Sequence, residues 1–176
     1  MKNNAILFLM VLSACSFLTS CDKDDPVIPN EEEVITTMNY TLTATDGSGV
    51  VTLTFQDLDG DGGDAPTISS GTLAANKTYE GSLELLNELE SPAEDITEEV
   101  MEEDEDHQFF FESTVSGLSV SYDDQDEDGN PVGLRTTVAT GGAASGTITV
   151  ILRHEPNKSA AGVMSGDITN AGGETD

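Results

Sequence analysis

Apolar side chains that recur at every second position, in short runs cut apart by Gly- and Asp-rich breaks, constrain this chain most. Val34, Met38, Tyr40, Leu42 and Ala44 alternate with Thr and Asn, and Val51, Leu53 and Phe55 follow the turn-forming Asp46-Gly47-Ser48-Gly49. The same period returns in Tyr79, Leu83 and Leu85, with Glu80 and Glu84 on the opposite face. It continues in Phe109, Phe111 and Val115, in Leu118, Val120 and Tyr122, in Val132, Leu134 and Val138, and in Ile148, Val150 and Leu152. A period of two is that of a half-buried strand, and the breaks supply turn chemistry. Roughly seven such strands predict a mostly β domain, an antiparallel β-sandwich over residues 34–156.

One helix is expected inside this pattern. Ser91-Pro92-Ala93-Glu94 has capping-box spacing with Pro at the first helical position, so a helix is predicted over residues 92–104. Ile96 and Val100 fall on its inner face. Glu94, Glu98 and Glu102 form one row of like charges, and Asp95, Glu99 and Glu103 another, each pair costing a few tenths of a kcal/mol. Such a helix needs tertiary packing, salt or bound cations to persist.

Charge excludes one class of partner. There are 34 acidic residues against 6 Lys plus Arg, a net charge of −28, and no Lys or Arg lies between Lys77 and Arg135. Phosphate backbones need basic residues, so nucleic acid is not an expected partner. The acidity reads either as a solvated surface screened by salt or as attraction for cations.

Two loops carry carboxylates at alternating positions before a glycine: Asp57, Asp59 and Asp61 before Gly62, and Asp124, Asp126 and Asp128 before Gly129. They resemble the first half of an EF-hand-type calcium loop, in which carboxylates turn onto a hard cation. Position twelve is Ile68 in one and Arg135 in the other, where that loop needs a bidentate Glu. Calcium is therefore expected to bind weakly, with Asp64 or an acid from elsewhere completing a site; plain Asp-Gly turn chemistry is the alternative.

The two histidines offer a second metal hypothesis. His107 shares strand parity with Phe109 and Phe111, and His154 with Ile148, Val150 and Leu152, so both tend toward the apolar face. If their strands are antiparallel neighbours, the start of one meets the end of the other. Glu103, Asp106 or Glu155 would then complete a zinc-type transition-metal site. Separate, hydrogen-bonded histidines at the rim are the alternative. Nucleophile elbows, phosphate loops and paired helical histidines are absent from the sequence, so no enzymatic activity is expected.

The N-terminus resembles a bacterial lipoprotein signal peptide. Lys2 precedes an apolar core from Ala5 to Leu12 that is too short to span a bilayer, and Leu18-Thr19-Ser20-Cys21 forms a cleavage site before a lipid-bearing cysteine. Leu12-Ser13-Ala14-Cys15 also fits but is less well spaced. The resemblance implies removal of residues 1–20 and acylation of Cys21, a durable lipid anchor to the membrane. The mature chain would then have neither free thiol nor disulfide. Asp22-Lys23-Asp24-Asp25 resembles the signal that sends Bacteroidota lipoproteins to the outer surface, within an acidic tether over residues 21–33.

Gly71-Thr72-Leu73-Ala74-Ala75-Asn76, Asp106-His107-Gln108-Phe109-Phe110-Phe111 and Leu152-Arg153-His154-Glu155-Pro156 resemble small Bacteroidota lipoproteins. Some of these are labelled type 1 periplasmic binding fold superfamily proteins. That fold has two α/β lobes of repeated strand–helix units, which this chain's pattern does not match, so only location and ligand capture follow from the resemblance. It implies a non-catalytic outer-membrane binding module, accessory to an uptake protein. A calcium-stabilised adhesive module and an acid-pair hydrolase are the other readings. Residues 157–176, rich in Gly and Ala, are expected to be a mobile or truncated tail, with Ala171-Gly172-Gly173 a turn before a missing strand.

Overall fold

The computed structural model describes residues 33–60 and 63–176. The signal-peptide residues, Cys15, Cys21 and most of the tether lie outside them, as does Asp61. Among the described residues, no helix is long and apolar enough to cross a membrane.

The alternating runs form strands β1 (Thr37–Ala44), β2 (Val50–Gln56), β4 (Thr78–Asn87), β6 (His107–Ser113), β7 (Ser119–Tyr122), β8 (Arg135–Ala139) and β9 (Ile148–His154). Three two-residue strands, β3 (Thr67–Ile68), β5 (Glu94–Asp95) and β10 (Glu174–Thr175), complete the set. The larger sheet runs β3-β2-β1-β4-β8-β7, with β5 beside β4, and the smaller runs β10-β9-β6. Every pairing is antiparallel. The chain is thus mostly β, as its periodicity predicts.

The inner faces of the two sheets share one core. Tyr40, Leu42, Tyr79, Leu83, Leu85 and Val138 from the larger sheet meet Phe109 and Leu152 from the smaller, with Phe111 and Val150 packed alongside. Tyr40 and Phe111 bring their ring centroids to 5.6 Å. The Tyr40 hydroxyl shares a buried hydrogen bond of 2.7 Å with Thr136 Oγ1, so this buried polar tip has a partner. Gly81 lies beneath that pair, where a Cβ would fall 2.3 Å from Thr136 Oγ1.

The outer face of the smaller sheet is covered as well, which corrects the expectation for residues 157–176. Phe110, on the opposite parity to Phe109, is buried against Val163 and Ala171, with Ile151, Ala160 and Ile168 packed around them. Two short 3-10 turns, Val163–Ser165 and Ile168–Asn170, carry this cover. The segment is therefore packed rather than mobile, and the Gly172-Gly173 turn leads into a strand after all, the two residues of β10 paired with β9. Three consecutive phenylalanines are explained by this arrangement, since both faces of β6 are covered.

The helix is shorter than predicted. Helix α1 spans Ile96–Glu102, and its N-cap is Asp95, whose side chain accepts from the Thr97 N–H, in place of Ser91. Glu94 and Asp95 first pair with β4, which delays the helix. Ile96 and Val100 are buried as expected, and Leu85 N–H donates to Thr97 Oγ1 at 2.9 Å. Tertiary packing thus supports a helix whose charges oppose it.

Candidate metal centre

His107 opens β6 and His154 closes β9, and the antiparallel register pairs them directly. Their rings stack with centroids 4.8 Å apart and planes 15° from parallel. Parity puts both rings at the inter-sheet end of the smaller sheet, where His107 is wholly buried and His154 is 8% exposed.

Two carboxylates join them. Glu33 reaches in from the segment before β1, and Asp176 from just beyond β10; their side chains are 6% and 0% exposed. One ligand atom from each of Glu33, His107, His154 and Asp176 lies within 4.8 Å of the other three. A zinc tetrahedron with bonds of ~2.0–2.1 Å has edges of ~3.4 Å, so the four atoms would draw closer together around an ion.

The Glu103 carbonyl places one hydrogen of the His107 ring. Nδ1 lies 3.0 Å from the Glu103 carbonyl, which only accepts, so Nδ1 carries the hydrogen. In the neutral ring Nε2 is then a bare lone pair. It lies 3.1 Å from Glu33 Oε1 and 4.0 Å from Asp176 Oδ2. Nε2 makes no hydrogen bond, and neither does the buried Glu33 Oε2, so the contact with Glu33 is close in distance and wrong in direction. Acceptors facing one another in a buried space need a positive charge between them. The Glu103 carbonyl acts as the orienting partner that ligating histidines commonly have.

The field around the group is negative. Burial first, and then the charges of Glu94, Glu33, Glu103 and Glu102, push the Glu99 carboxyl on α1 upward. Helix α1 therefore adds negative potential at Glu33, the sign that favours a cation.

Of the acids expected to complete this centre, none contributes its carboxylate. Glu103 supplies its carbonyl, and the Asp106 carbonyl accepts from Glu155 N–H at 2.7 Å. Glu155 itself is exposed, with φ of 49°. Glu33 looked like one more acid of the tether, and Asp176 lies 22 residues past His154, so no spacing pointed to either.

The Asp-rich loops serve another purpose. Asp57 Oδ1 accepts from Gly60 N–H at 3.0 Å, and Asp59 Oδ2 from Asp64 N–H at 2.8 Å. Asp124 accepts from Gly133 and Arg135 N–H at 2.7 and 2.8 Å. Asp126 is buried, accepts from Asn130 N–H at 2.8 Å and pairs with Lys158 Nζ at 3.0 Å. Asp128 is exposed. Among the described residues these carboxylates are not brought together as a metal group, and oxygens of Asp57, Asp59, Asp124 and Asp126 accept from backbone N–H groups and one ammonium, while Asp61 lies outside the described residues. Comparison with protein-family models, curated proteins and solved structures finds no match.

Proposed function

We propose that this protein is a non-catalytic binding module, lipid-anchored at Cys21 to the outer membrane, that holds a zinc-class divalent cation on His107, His154, Glu33 and Asp176. The observation that carries this is the buried Nε2 of His107, which makes no hydrogen bond although Glu33 Oε1 lies 3.1 Å away, an arrangement that a cation would reconcile. Two imidazoles favour zinc and its neighbours over calcium, which prefers oxygen donors alone. Four protein donors, nearly all buried, make a closed set of the kind that retains a metal rather than presenting it to a substrate. The anchor and surface location rest on the resemblance of residues 1–25 to lipoprotein signals, and an uptake partner on the wider family resemblance. Glu33 follows Cys21 by twelve residues, so the centre begins where the tether ends.

The test is metal binding by the stripped full chain. Dialysis against zinc is expected to leave one equivalent bound. At a free zinc concentration ~100 times the dissociation constant, binding adds ~2.7 kcal/mol, which raises the unfolding midpoint by roughly 5–10 °C for a domain of this size. Magnesium at matched ionic strength should leave the midpoint in place. A chain that retains no zinc and melts alike in both ions overturns the proposal.

A further inference from the structure

We infer that helix α1 is coupled to the metal centre: a cation on His107 firms the last turn of α1, and the folding of that turn sets how tightly the cation is held. The inference rests on the zinc reading above. The two ends of α1 are held differently. At its start Asp95 caps the Thr97 N–H, Leu85 N–H donates to Thr97 Oγ1, and Ile96 and Val100 are buried. Beyond Val100 that packing stops, since Met101, Glu102 and Glu103 are all exposed. A helix of seven residues has little stability of its own. Its last turn holds no basic residue, and Glu102 and Glu103 stand at the negative end of the dipole, each four residues from another acid, Glu98 and Glu99.

Glu103 joins that turn to the metal centre. Its N–H closes the helix on the Glu99 carbonyl at 2.9 Å, and its own carbonyl accepts from Asp106 N–H at 2.9 Å and from His107 Nδ1 at 3.0 Å. The next carbonyl, that of Asp104, accepts from the Lys158 ammonium. The last turn thus spans the interval between a packed first turn and a cap that touches a ligating ring. A cation on Nε2 draws electron density from the ring and makes Nδ1–H a stronger, charge-assisted donor to the Glu103 carbonyl. The same cation acts through Glu33, whose carboxylate repels Glu99. A dication held there replaces that repulsion with attraction. Both effects favour the folded last turn, and linkage makes the coupling mutual.

Met101→Gly set against Met101→Ala tests the coupling, in full chains without cysteines. Met101 is 58% exposed and neither substitution changes charge, so the two variants differ chiefly in helix propensity. An open last turn in part of the stripped population lowers the apparent affinity. The Gly variant should therefore hold zinc about two- to fivefold more weakly than the Ala variant in competition with a chelator. In the parent, zinc should slow hydrogen exchange in residues 101–106 by about tenfold and leave the turn at residues 46–49 unchanged. Equal zinc affinity in the two variants, or unchanged exchange in residues 101–106, overturns the coupling and leaves the metal centre standing. A stripped parent that takes up no zinc overturns both.

Discussion

Glu33→Gln is expected to change stability in opposite directions depending on the metal. In the stripped protein the Glu33 carboxylate faces the His107 lone pair at 3.1 Å and lies within 4.8 Å of the Asp176 ligand atom. Substituting a neutral amide removes a buried like-charge contact and provides a donor for Nε2, so the stripped variant should melt higher than the stripped parent. With zinc present the same change deletes a charged ligand, and the variant should melt lower than the loaded parent. Replacing both histidines by Gln should go further and weaken zinc binding by more than about a hundredfold, beyond the ~10- to 100-fold that altering a mere orienting partner costs. Cys15→Ser and Cys21→Ser in every version prevent thiols from competing for the metal. Asp57→Asn with Asp59→Asn should leave zinc affinity unchanged. A Glu33→Gln variant that loses stability equally with and without zinc would make Glu33 a structural residue.

Lys158→Met carries the largest expected cost away from the metal centre. Lys158 and Asp126 are 6% and 4% exposed, paired at 3.0 Å, and the ammonium also donates to the Asp104 carbonyl. The pair ties the packed C-terminal segment to the loop after β7. Removing the cation strands a buried carboxylate, at about 3–5 kcal/mol. The pH dependence has a definite sign. Burial alone would raise the Asp126 carboxyl, but Lys158 and the backbone and side chain of Asn130 outweigh it and hold the carboxyl below its ordinary value. A group whose folded value is depressed contributes its stability above the unfolded value, ~3.9, and loses it as pH falls through the folded value. In Lys158→Met burial prevails, so the carboxyl rises and the penalty is greatest at neutral pH. The gap in melting temperature between parent and variant should therefore narrow on acidification from pH 7 toward pH 4. Adding Asp126→Asn should restore much of the lost stability at pH 7. A gap that stays constant with pH would show that Lys158 acts through packing alone.

The alternation of apolar residues made the sheets legible, because a period of two fixes which side of each strand is buried. It also put His107 and His154 on the inner face, and the antiparallel pairing of β6 with β9 then brought them together. What the pattern did not reveal came from outside its periodicity. Phe110 broke the expected alternation because a further layer covers β6, and that layer was built from a Gly- and Ala-rich segment with few apolar residues to announce it. Glu33 and Asp176 approach the histidines from opposite ends of the chain, and in a sequence with 34 acids no single carboxylate stands out. The Asp-rich loops were the more conspicuous motif and yielded turns, since an Asx side chain satisfies nearby backbone N–H groups as readily as it binds an ion.

Zinc-edge X-ray absorption on the loaded full chain, with both cysteines replaced by serine, tests the central claim most directly. The centre predicts a shell of four nitrogen and oxygen neighbours at ~2.0–2.1 Å with the outer-shell signature of two imidazoles. That signature should disappear in the double His→Gln variant. A six-oxygen shell without imidazole, or the same spectrum from parent and variant, would contradict it by placing the metal among surface carboxylates.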